Sequence, residues 1–280
     1  MMLEFAKMHG LGNDFMVLDL VSQDFTGSAD QIKQWSDRRT GVGFDQLLTI
    51  EPPSEPDSDF VYRIYNADGS QAEQCGNGAR CVALYIGHRG LSPKASLRLQ
   101  TISGPIEATV IDPHTVEVDM GVPSVSADRV PFDASHGTST GPLTYQLTAG
   151  AGMWEITPVS MGNPHGVTFV DNITQAPVEE AGAELTKHPF FPQGANIGFC
   201  QVVDAGFVRL RVFERGVGET RACGTGACAA VVAARLHGAL GERAKVSLPG
   251  GKVRVGWPGS EATVKMTGSA ALVYEGFVEP

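Results

Sequence analysis

Two short segments of the 280-residue sequence are near copies of each other. Residues 75–81 read CGNGARC and residues 223–228 read CGTGAC, and each segment runs directly into an apolar stretch. Internal similarity of this kind indicates either a duplicated structural unit or two thiols that face each other for chemistry.

The similarity extends to polar residues outside the cysteine turns. Four residues recur in the same order in both halves, as the pairs Asn13/Asn163, Gln46/Asn196, Asn66/Glu214 and Cys75/Cys223. In each half the first residue precedes the second by 33 positions, and the third precedes the cysteine by nine. Taken singly, a carboxamide in such a position is often only a turn former. Their shared order around a cysteine favours two copies of one fold, related by a pseudo-twofold axis, that present these residues across a cleft.

Hydrophobic alternation and β-branched residues dominate the rest of the chain. They predict strands at 15–20, 60–66, 115–120, 166–171, 207–213 and 261–266. Helices are predicted at 29–38 after the N-cap Ser28, at 178–188 after Pro177, and in the segments that follow the two cysteine turns. The acidic, proline-rich segment 51–59 is predicted to be a surface loop.

The two segments after the cysteine turns carry apolar residues on nearly every face and end at Gly90 and Gly238. A helix that is apolar all round must be buried, so we expect each to run through the middle of its own curved sheet. The predicted fold class is α/β (α+β), with two pseudo-twofold-related domains, each a barrel-like, mainly antiparallel sheet around a central helix. We expect domains at 1–121, completed by a C-terminal strand at 269–280, and at 122–268, with a connection at 121–142.

The charge balance limits the classes of partner. There are 21 basic and 31 acidic side chains, which give a formal net charge of −10. Nucleic acids and anionic membranes repel such a chain, so we expect neither as a partner. No signal-peptide pattern and no stretch of membrane-span length are found. Five cysteines without an export signal favour reduced thiols and a cytoplasmic location.

A cysteine at the start of a helix has a specific chemical consequence. The exposed N–H groups and the positive end of the helix dipole favour the thiolate, which predicts pKa values below about 8.5 for Cys75 and Cys223. The backbone N–H groups that follow each cysteine form an anion site suited to a carboxylate. These groups belong to Gly76, Asn77, Gly224 and Thr225.

Two such helix ends around one carboxylate would bring a thiol to each side of the adjacent carbon. One cysteine, as thiolate, would remove the α-proton while the other, as thiol, protonates the opposite face. The sequence therefore predicts a two-base racemase or epimerase. In an empty cleft the two sulfurs could approach disulfide distance, so we expect oxidation to inactivate the protein and a reductant to restore it.

Four motifs closely resemble those of the diaminopimelate epimerase family: HGLGNDF, NADGSQAEQCGNGARC, SMGNPHGV and ERGVGETRACGTGAC. The resemblance runs through the whole chain and implies two similar α/β halves. It implies a PLP-independent interconversion of LL- and meso-2,6-diaminopimelate, without a cofactor, in the synthesis of lysine and cell-wall precursors. Members of this family are typically homodimers, and the resemblance suggests Tyr274 as a residue of the dimer interface.

The resemblance also assigns roles to individual residues. It suggests Cys75 and Cys223 as the acid/base pair, with His165 and Glu214 tuning their protonation. It assigns substrate binding to Asn13, Gln46, Asn66, Gly76, Asn77, Asn163, Asn196, Glu214, Arg215, Gly224 and Thr225. The guanidinium of Arg215 can donate two parallel N–H bonds, the bidentate arrangement that suits the distal carboxylate of such a substrate.

Other interpretations of the cysteines remain open. The paired cysteine motifs alone also fit a proline or hydroxyproline racemase. The spacings Cys75/Cys81 and Cys223/Cys228 are wider than those of ordinary zinc ligands, so a metal or redox module is the weaker alternative and we predict no metal site. Cys81, Cys200 and Cys228 fall within apolar patterns and are predicted to be core thiols. The Gly-rich turns lack the lysine of a P-loop, which argues against nucleotide binding.

Three site candidates also have ordinary interpretations. His165 fits a turn histidine, Arg215 fits a surface ion-pair partner, and Glu214 fits a solvated strand residue. The site interpretation is favoured because Glu214 occupies the repeat position of Asn66.

Overall fold

The computed structural model describes residues 2–72, 75–150 and 152–280. The chain forms two compact units. Unit 1 contains the residues up to Asp119 together with Thr267–Pro280, and unit 2 contains Met120–Met266. The domain ranges 1–121 with 269–280, and 122–268, stay a prediction.

Among its described residues, the N-terminal part of unit 1 carries eight strands and two helices. Its elements are β1 (Leu3–Gly10), β2 (Asn13–Asp19), α1 (Ala29–Ser36), β3 (Gln46–Glu51), β4 (Phe60–Asn66), β5 (Gln71–Ala72), α2 (Gly76–His88), β6 (Ser96–Thr101), β7 (Gly104–Asp112) and β8 (Thr115–Asp119).

Unit 2 repeats this alternation of strands and helices. Its elements are β9 (Thr138–Gly141), β10 (Thr144–Ala149), β11 (Gly152–Ser160), β12 (Pro164–Phe169), α3 (Val178–Leu185), β13 (Asn196–Asp204), β14 (Phe207–Glu214), β15 (Gly218–Thr220), α4 (Gly224–Leu236), β16 (Arg243–Leu248) and β17 (Gly251–Gly256). A short 3-10 turn, Ala134–His136, precedes β9. The chain ends with β18 (Lys265–Ser269) and β19 (Ala271–Val278).

The strands of the two units pair in the same order. In unit 1 the order is β19-β1-β2-β3-β4-β6-β7-β8, with β5 also on β4. In unit 2 the order is β9-β10-β11-β12-β13-β14-β16-β17, with β15 also on β14. The pairs β2–β3 and β4–β6 are parallel, as are their counterparts β12–β13 and β14–β16, and the other pairs are antiparallel. The predicted mixed α/β fold is therefore confirmed.

The repeat extends to the register of the strands. Phe15 lies opposite Gln46 on β2 and β3, and His165 lies opposite Asn196 on β12 and β13. In both units the first of these residues follows the repeat asparagine by two positions. Since side chains alternate along a strand, Asn13 and Asn163 have equivalent positions in their units.

One long helix is buried in each unit. The helix α2 packs against β1 to β4, β7, β8 and β19, and α4 packs against β11 to β14, β16 and β17. The helix α2 thus contacts both end strands of its sheet, β19 and β8, and α4 contacts every strand of its sheet order from β11 to β17. Both end before a glycine in the left-handed region, Gly90 (φ 66°) and Gly238 (φ 72°). Within the described ranges, no helix has the length and apolar character of a membrane span.

One predicted strand is wrong in part. The strand expected at 261–266 begins only at Lys265. The preceding residues form a turn, in which Ser260 has a positive φ of 56° and the Ala262 N–H donates to the Gly259 carbonyl. The segment 121–142, expected to be a connection, also contains the strand β9.

Two predicted helices end early. The helix expected at 29–38 begins after its N-cap Ser28 but ends at Ser36, because the Asp37 carboxylate accepts the N–H groups of Arg39 and Thr40. The helix expected at 178–188 ends at Leu185. There the hydroxyl of the next residue, Thr186, donates to the Ala195 carbonyl at 2.5 Å.

The helix α2 provides a matched pair of glycines for a test of its packing. A methyl group at Gly78 would overlap Tyr62 Oη and lie 3.2 Å from Leu48 Cδ2, whereas one at Gly87 would meet no atom within 4 Å. We predict that Gly78→Ala lowers the free energy of unfolding by about 1–3 kcal/mol. Gly87→Ala should raise it by about 0.5 kcal/mol. Urea denaturation measures both, and equal effects would contradict the close packing at Gly78.

Candidate active site

Cys75 is the N-cap residue of α2 in unit 1. Its sulfur accepts the Gly78 N–H at 3.3 Å and lies 3.7 Å from Asn13 Oδ1. Its carbonyl accepts the hydroxyl of the buried Tyr62 at 3.2 Å. The thiol is half-buried, so the helix start holds a sulfur that is accessible yet fixed by the backbone. Glu73 and Gln74, which precede it in the motif, lie outside the described residues.

A chain of side-chain hydrogen bonds lies beside this thiol. Asn77 Nδ2 donates to Asn13 Oδ1 at 3.3 Å, and Arg80 Nη2 donates to Asn77 Oδ1 at 2.8 Å. Arg80 is fully buried, although it belongs to an otherwise apolar helix. The sequence analysis did not select Arg80. The presence of a charged residue in a helix that must be buried was the signal that could have identified it.

The other two site candidates of unit 1 lie opposite each other on β3 and β4. Gln46 Nε2 donates to Asn66 Oδ1 at 3.0 Å. Asn66 Nδ2 in turn donates to Ser70 Oγ at 3.1 Å. The repeat spacing therefore brings these two carboxamides into direct contact.

Cys223 is the N-cap residue of α4 in unit 2 and is only 4% exposed. Its sulfur lies 3.7 Å from Thr225 Oγ1. The thiol also bonds to the Glu214 carboxylate, which accepts a hydroxyl from Thr220. The Cys75 sulfur thus caps its helix by accepting the Gly78 N–H, whereas the Cys223 side chain makes no capping hydrogen bond to α4.

The expectation of a lowered pKa is wrong for Cys223. Burial and the neighbouring Glu214 carboxylate raise its pKa well above the usual value, against the opposing effects of Thr225 and the Gly226 N–H. Burial also raises the pKa of Glu214, although its hydrogen bonds with Thr220 and Cys223 oppose this. The helix dipole alone does not decide the ionisation of a thiol that shares a buried position with a carboxylate.

His165 and Asn163 form one hydrogen-bonded group in unit 2. His165 Nε2 contacts Asn163 Oδ1 at 3.0 Å, and Asn163 Nδ2 donates to Thr225 Oγ1 at 3.4 Å. Burial, together with the charge of Arg215, lowers the pKa of His165 to about 3. The imidazole is therefore neutral near pH 7, with its proton on Nε2 if it donates to Asn163.

Asn196, at the start of β13, contacts Arg215, just after the end of the neighbouring strand β14. The Arg215 backbone N–H donates to Asn196 Oδ1 at 2.9 Å, and the exposed guanidinium donates from Nη1 to the Gln193 carbonyl at 2.7 Å. The remaining nitrogens of the guanidinium are suitable donors for a carboxylate. A series of contacts thus runs from Cys223 through Thr225 and Asn163 to His165, on which the charge of Arg215 acts.

The three other cysteines belong to the cores, as predicted. Cys81, Cys200 and Cys228 are fully buried. Burial raises the pKa of Cys81 and of Cys200 to about 12. In the part of the chain that the structure describes, no group of three or more His, Cys, Asp or Glu side chains is arranged to hold a metal ion.

The fold of the chain occurs in solved structures of distant sequence. A hydroxyproline epimerase from Agrobacterium vitis matches 99% of this chain and 92% of its own, with a TM-score of 0.71 and 18% identity. A PhzF-family phenazine biosynthesis protein from Bacillus anthracis matches both chains completely, with a TM-score of 0.67 and 16% identity. The fold is thus one that amino acid epimerases and PhzF-family proteins share.

Closer relatives define the family. The family model for diaminopimelate epimerase matches residues 5–126 and 157–273. The diaminopimelate epimerase of Ectopseudomonas mendocina is 53% identical over 278 residues, and that of Pseudomonas paraeruginosa is 52% identical, each with 99% of both chains covered. The chain belongs to the diaminopimelate epimerase family, and it is an isomerase of the epimerase type.

The contact between Glu214 and Cys223 predicts a pH effect. Because the carboxylate disfavours the thiolate, Glu214→Gln should lower the pKa of Cys223. The measurement is the pH dependence of Cys223 alkylation, followed by peptide mass spectrometry. Its midpoint should shift to lower pH in Glu214→Gln, with alkylation about threefold to tenfold faster at a pH below the midpoint.

Glu219→Gln is the matched control for this test. Glu219 lies on the neighbouring strand β15 and pairs with Arg211 at 2.6 Å. Glu219→Gln should not change the pH at the midpoint of Cys223 alkylation. An unchanged midpoint in Glu214→Gln, or equal shifts in both variants, would refute the assigned influence of Glu214.

Proposed function

We propose that this protein interconverts LL- and meso-2,6-diaminopimelate by a two-base mechanism in which Cys75 and Cys223 exchange the α-proton. The observation that carries the proposal is the start of the central helix in each unit, where a cysteine is the N-cap residue and its sulfur contacts the first turn of the helix. The full-length identity of about half with diaminopimelate epimerases supports the choice of substrate.

The proposed reaction needs no group beyond the two thiols and the substrate. One cysteine, as thiolate, takes the proton from the α-carbon and becomes a thiol, and the electron pair of the C–H bond passes into the carboxylate as an enediolate. The other cysteine, as thiol, then protonates the opposite face and becomes the thiolate. No net proton is gained or lost, because one cysteine gains a proton and the other loses one. In the reverse direction the two residues exchange roles.

The first turns of the two helices are suited to the developing negative charge. Backbone N–H groups that are oriented before the substrate arrives stabilise an enediolate without reorganisation. We assign this role to the backbone at 76–77 and at 224–225, which follow the two cysteines directly. Glu214, in contact with Cys223, keeps that thiol protonated in the direction in which Cys223 is the acid.

The remaining polar residues are proposed to bind the substrate. We assign Asn13, Gln46, Asn66, Asn163, Asn196, Glu214 and Arg215 to this role. Arg215 suits the distal carboxylate because its guanidinium is exposed and is held by the Gln193 carbonyl. His165, neutral and bonded to Asn163, holds that carboxamide in position.

The test is proton exchange followed by NMR. LL-diaminopimelate incubated in D2O with the reduced protein, without added cofactor, should lose its α-proton signal and yield the meso isomer. Cys75→Ala and Cys223→Ala should each abolish epimerisation, because each removes one of the two proton carriers. Cys200→Ala, which changes a core thiol, is the matched control and should retain it.

Two outcomes would contradict the proposal. Epimerisation that survives in Cys75→Ala or Cys223→Ala would refute the two-thiol mechanism. No exchange of LL-diaminopimelate by the reduced wild type, together with exchange of proline or hydroxyproline, would reassign the substrate to the racemase alternative.

We further propose that the protein is a cytoplasmic homodimer that uses the exposed residues of β19. Three apolar side chains of this strand are exposed: Val273 (56%), Tyr274 (46%) and Phe277 (66%). An exposed apolar stripe of this kind favours an interface with another copy. The location in the cytoplasm rests on the reduced thiols that the mechanism requires.

A substitution on this stripe tests the dimer. We predict that light scattering gives twice the mass of one chain for the wild type and for Val203→Asp, and the mass of one chain for Tyr274→Asp. Val203 has a similar exposure of 45% on the unrelated strand β13, which makes it the matched control. A dimer that persists in Tyr274→Asp, and also in a Tyr274→Asp/Phe277→Asp double variant, would contradict this interface.

A further inference from the structure

Two carboxylates lie at the starts of the adjacent parallel strands β2 and β3. Arg38 bridges them, with Nη2 at 2.7 Å from both Asp14 Oδ1 and Asp45 Oδ1. Lys7 Nζ adds a contact of 2.5 Å to Asp14 Oδ2. Burial alone would raise the pKa of Asp14, but the hydrogen bonds and charges of Arg38 and Lys7 hold it well below its usual range.

The second oxygen of Asp45 contacts a site candidate. Asp45 Oδ2 accepts Asn13 Nδ2 at 3.0 Å and the Asp14 N–H at 3.1 Å. An ionised carboxylate can only accept hydrogen bonds, so it must face the NH2 group of the Asn13 amide and not its oxygen. The charge of Asp45 therefore determines the orientation of this amide.

This orientation decides what Cys75 faces. With Nδ2 held by Asp45, Asn13 Oδ1 is directed at Cys75 Sγ, 3.7 Å away, and at Asn77 Nδ2. A carbonyl oxygen beside a sulfur accepts the S–H of a thiol and disfavours a thiolate. The Gly78 N–H on the same sulfur has the opposite effect.

Among the described residues of unit 1, we find four titratable or charged groups around this thiol. The helix α2 contributes Arg80, whose cation favours the thiolate, and the buried thiol of Cys81. The strand β4 contributes the Tyr62 hydroxyl, and Asp45, which directly precedes β3, contacts Asn13. Asn13 Oδ1 is an acceptor positioned against the Cys75 S–H.

The repeat position in unit 2 has the opposite arrangement. Asn163 Oδ1 contacts His165 Nε2, and Asn163 Nδ2 points to Thr225, which lies against Cys223. Equivalent asparagines are therefore oriented by different partners, a carboxylate in unit 1 and an imidazole in unit 2.

We propose that Asp45, held by Arg38, is a positioning residue that turns the Asn13 amide so that its oxygen faces Cys75 and stabilises the thiol form that this residue needs when it acts as the acid. Its importance for the reaction rests on the proposed function, whereas its effect on the thiol does not. Asp45 acts through Asn13 and is not itself a catalytic residue.

Asp45→Asn is the direct test because it keeps the size of the side chain. Arg38 still requires an acceptor, so the new amide oxygen remains with Arg38 and the new NH2 group faces Asn13. Two facing NH2 groups repel, which favours a turned Asn13 with Nδ2 towards Cys75. The Asp45 side chain is 44% exposed, so this change is expected to leave the fold intact, as thermal unfolding can verify.

The readout is the pH dependence of Cys75 alkylation by iodoacetamide, resolved by peptide mass spectrometry without any substrate. We expect the midpoint for Asp45→Asn to shift to lower pH, with alkylation about threefold to tenfold faster below the midpoint. Asp59→Asn is the matched control, because Asp59 also pairs with a cation, Lys94, and accepts a backbone N–H, from Arg98. It should leave the midpoint unchanged.

A double variant separates positioning from a direct charge effect. Asn13→Ala should lower the midpoint by itself, and Asp45→Asn should add nothing in that background. An equal shift in the presence and absence of Asn13 would overturn the proposal, as would an unchanged or raised midpoint in Asp45→Asn. Because no substrate is used, loss of the proposed epimerase activity and failure of this inference are distinguishable.

Discussion

The contact between a cysteine sulfur and the first turn of a buried helix is the interaction on which the site depends. A buried apolar helix leaves its first N–H groups without partners inside the helix, and its N-cap residue lies beside them. In unit 1 the Cys75 sulfur accepts the Gly78 N–H, and in unit 2 the Cys223 sulfur lies 3.7 Å from Thr225 Oγ1. The N-cap position at which each helix begins also holds the thiol against the positive end of the helix dipole.

The two units share this contact but differ in the charges around it. The repeat position of the neutral Asn66 is occupied in unit 2 by Glu214, which raises the pKa of Cys223. The buried cation Arg80, five residues after Cys75, has Cys228 as its counterpart. A reaction that needs an acid and a base of the same chemical type benefits from such a difference, because two identical surroundings would favour the same protonation state for both thiols.

The sequence predicts what depends on local pattern and spacing. The buried helices, most of the strands and the core cysteines follow from hydrophobic periodicity and the internal repeat. Helix ends and the start of β18 do not, because they are decided by contacts of single side chains such as Asp37. The raised pKa of Cys223 and the role of Asp45 also lie beyond the sequence, since each depends on which charge folding brings next to a neutral group. Asp45 precedes the repeat residue Gln46 directly, which was the one available signal.

The most direct test of the two-base account is the isotope content of both isomers at early conversion. LL-diaminopimelate is incubated with the enzyme in D2O, and the reaction is stopped while little substrate has been consumed. Mass spectrometry of the separated isomers should show deuterium at the inverted carbon of the meso product and none in the remaining LL isomer, because the product proton comes from the second thiol. A meso product that retains the original proton would show that a single base returns it, and would contradict the account.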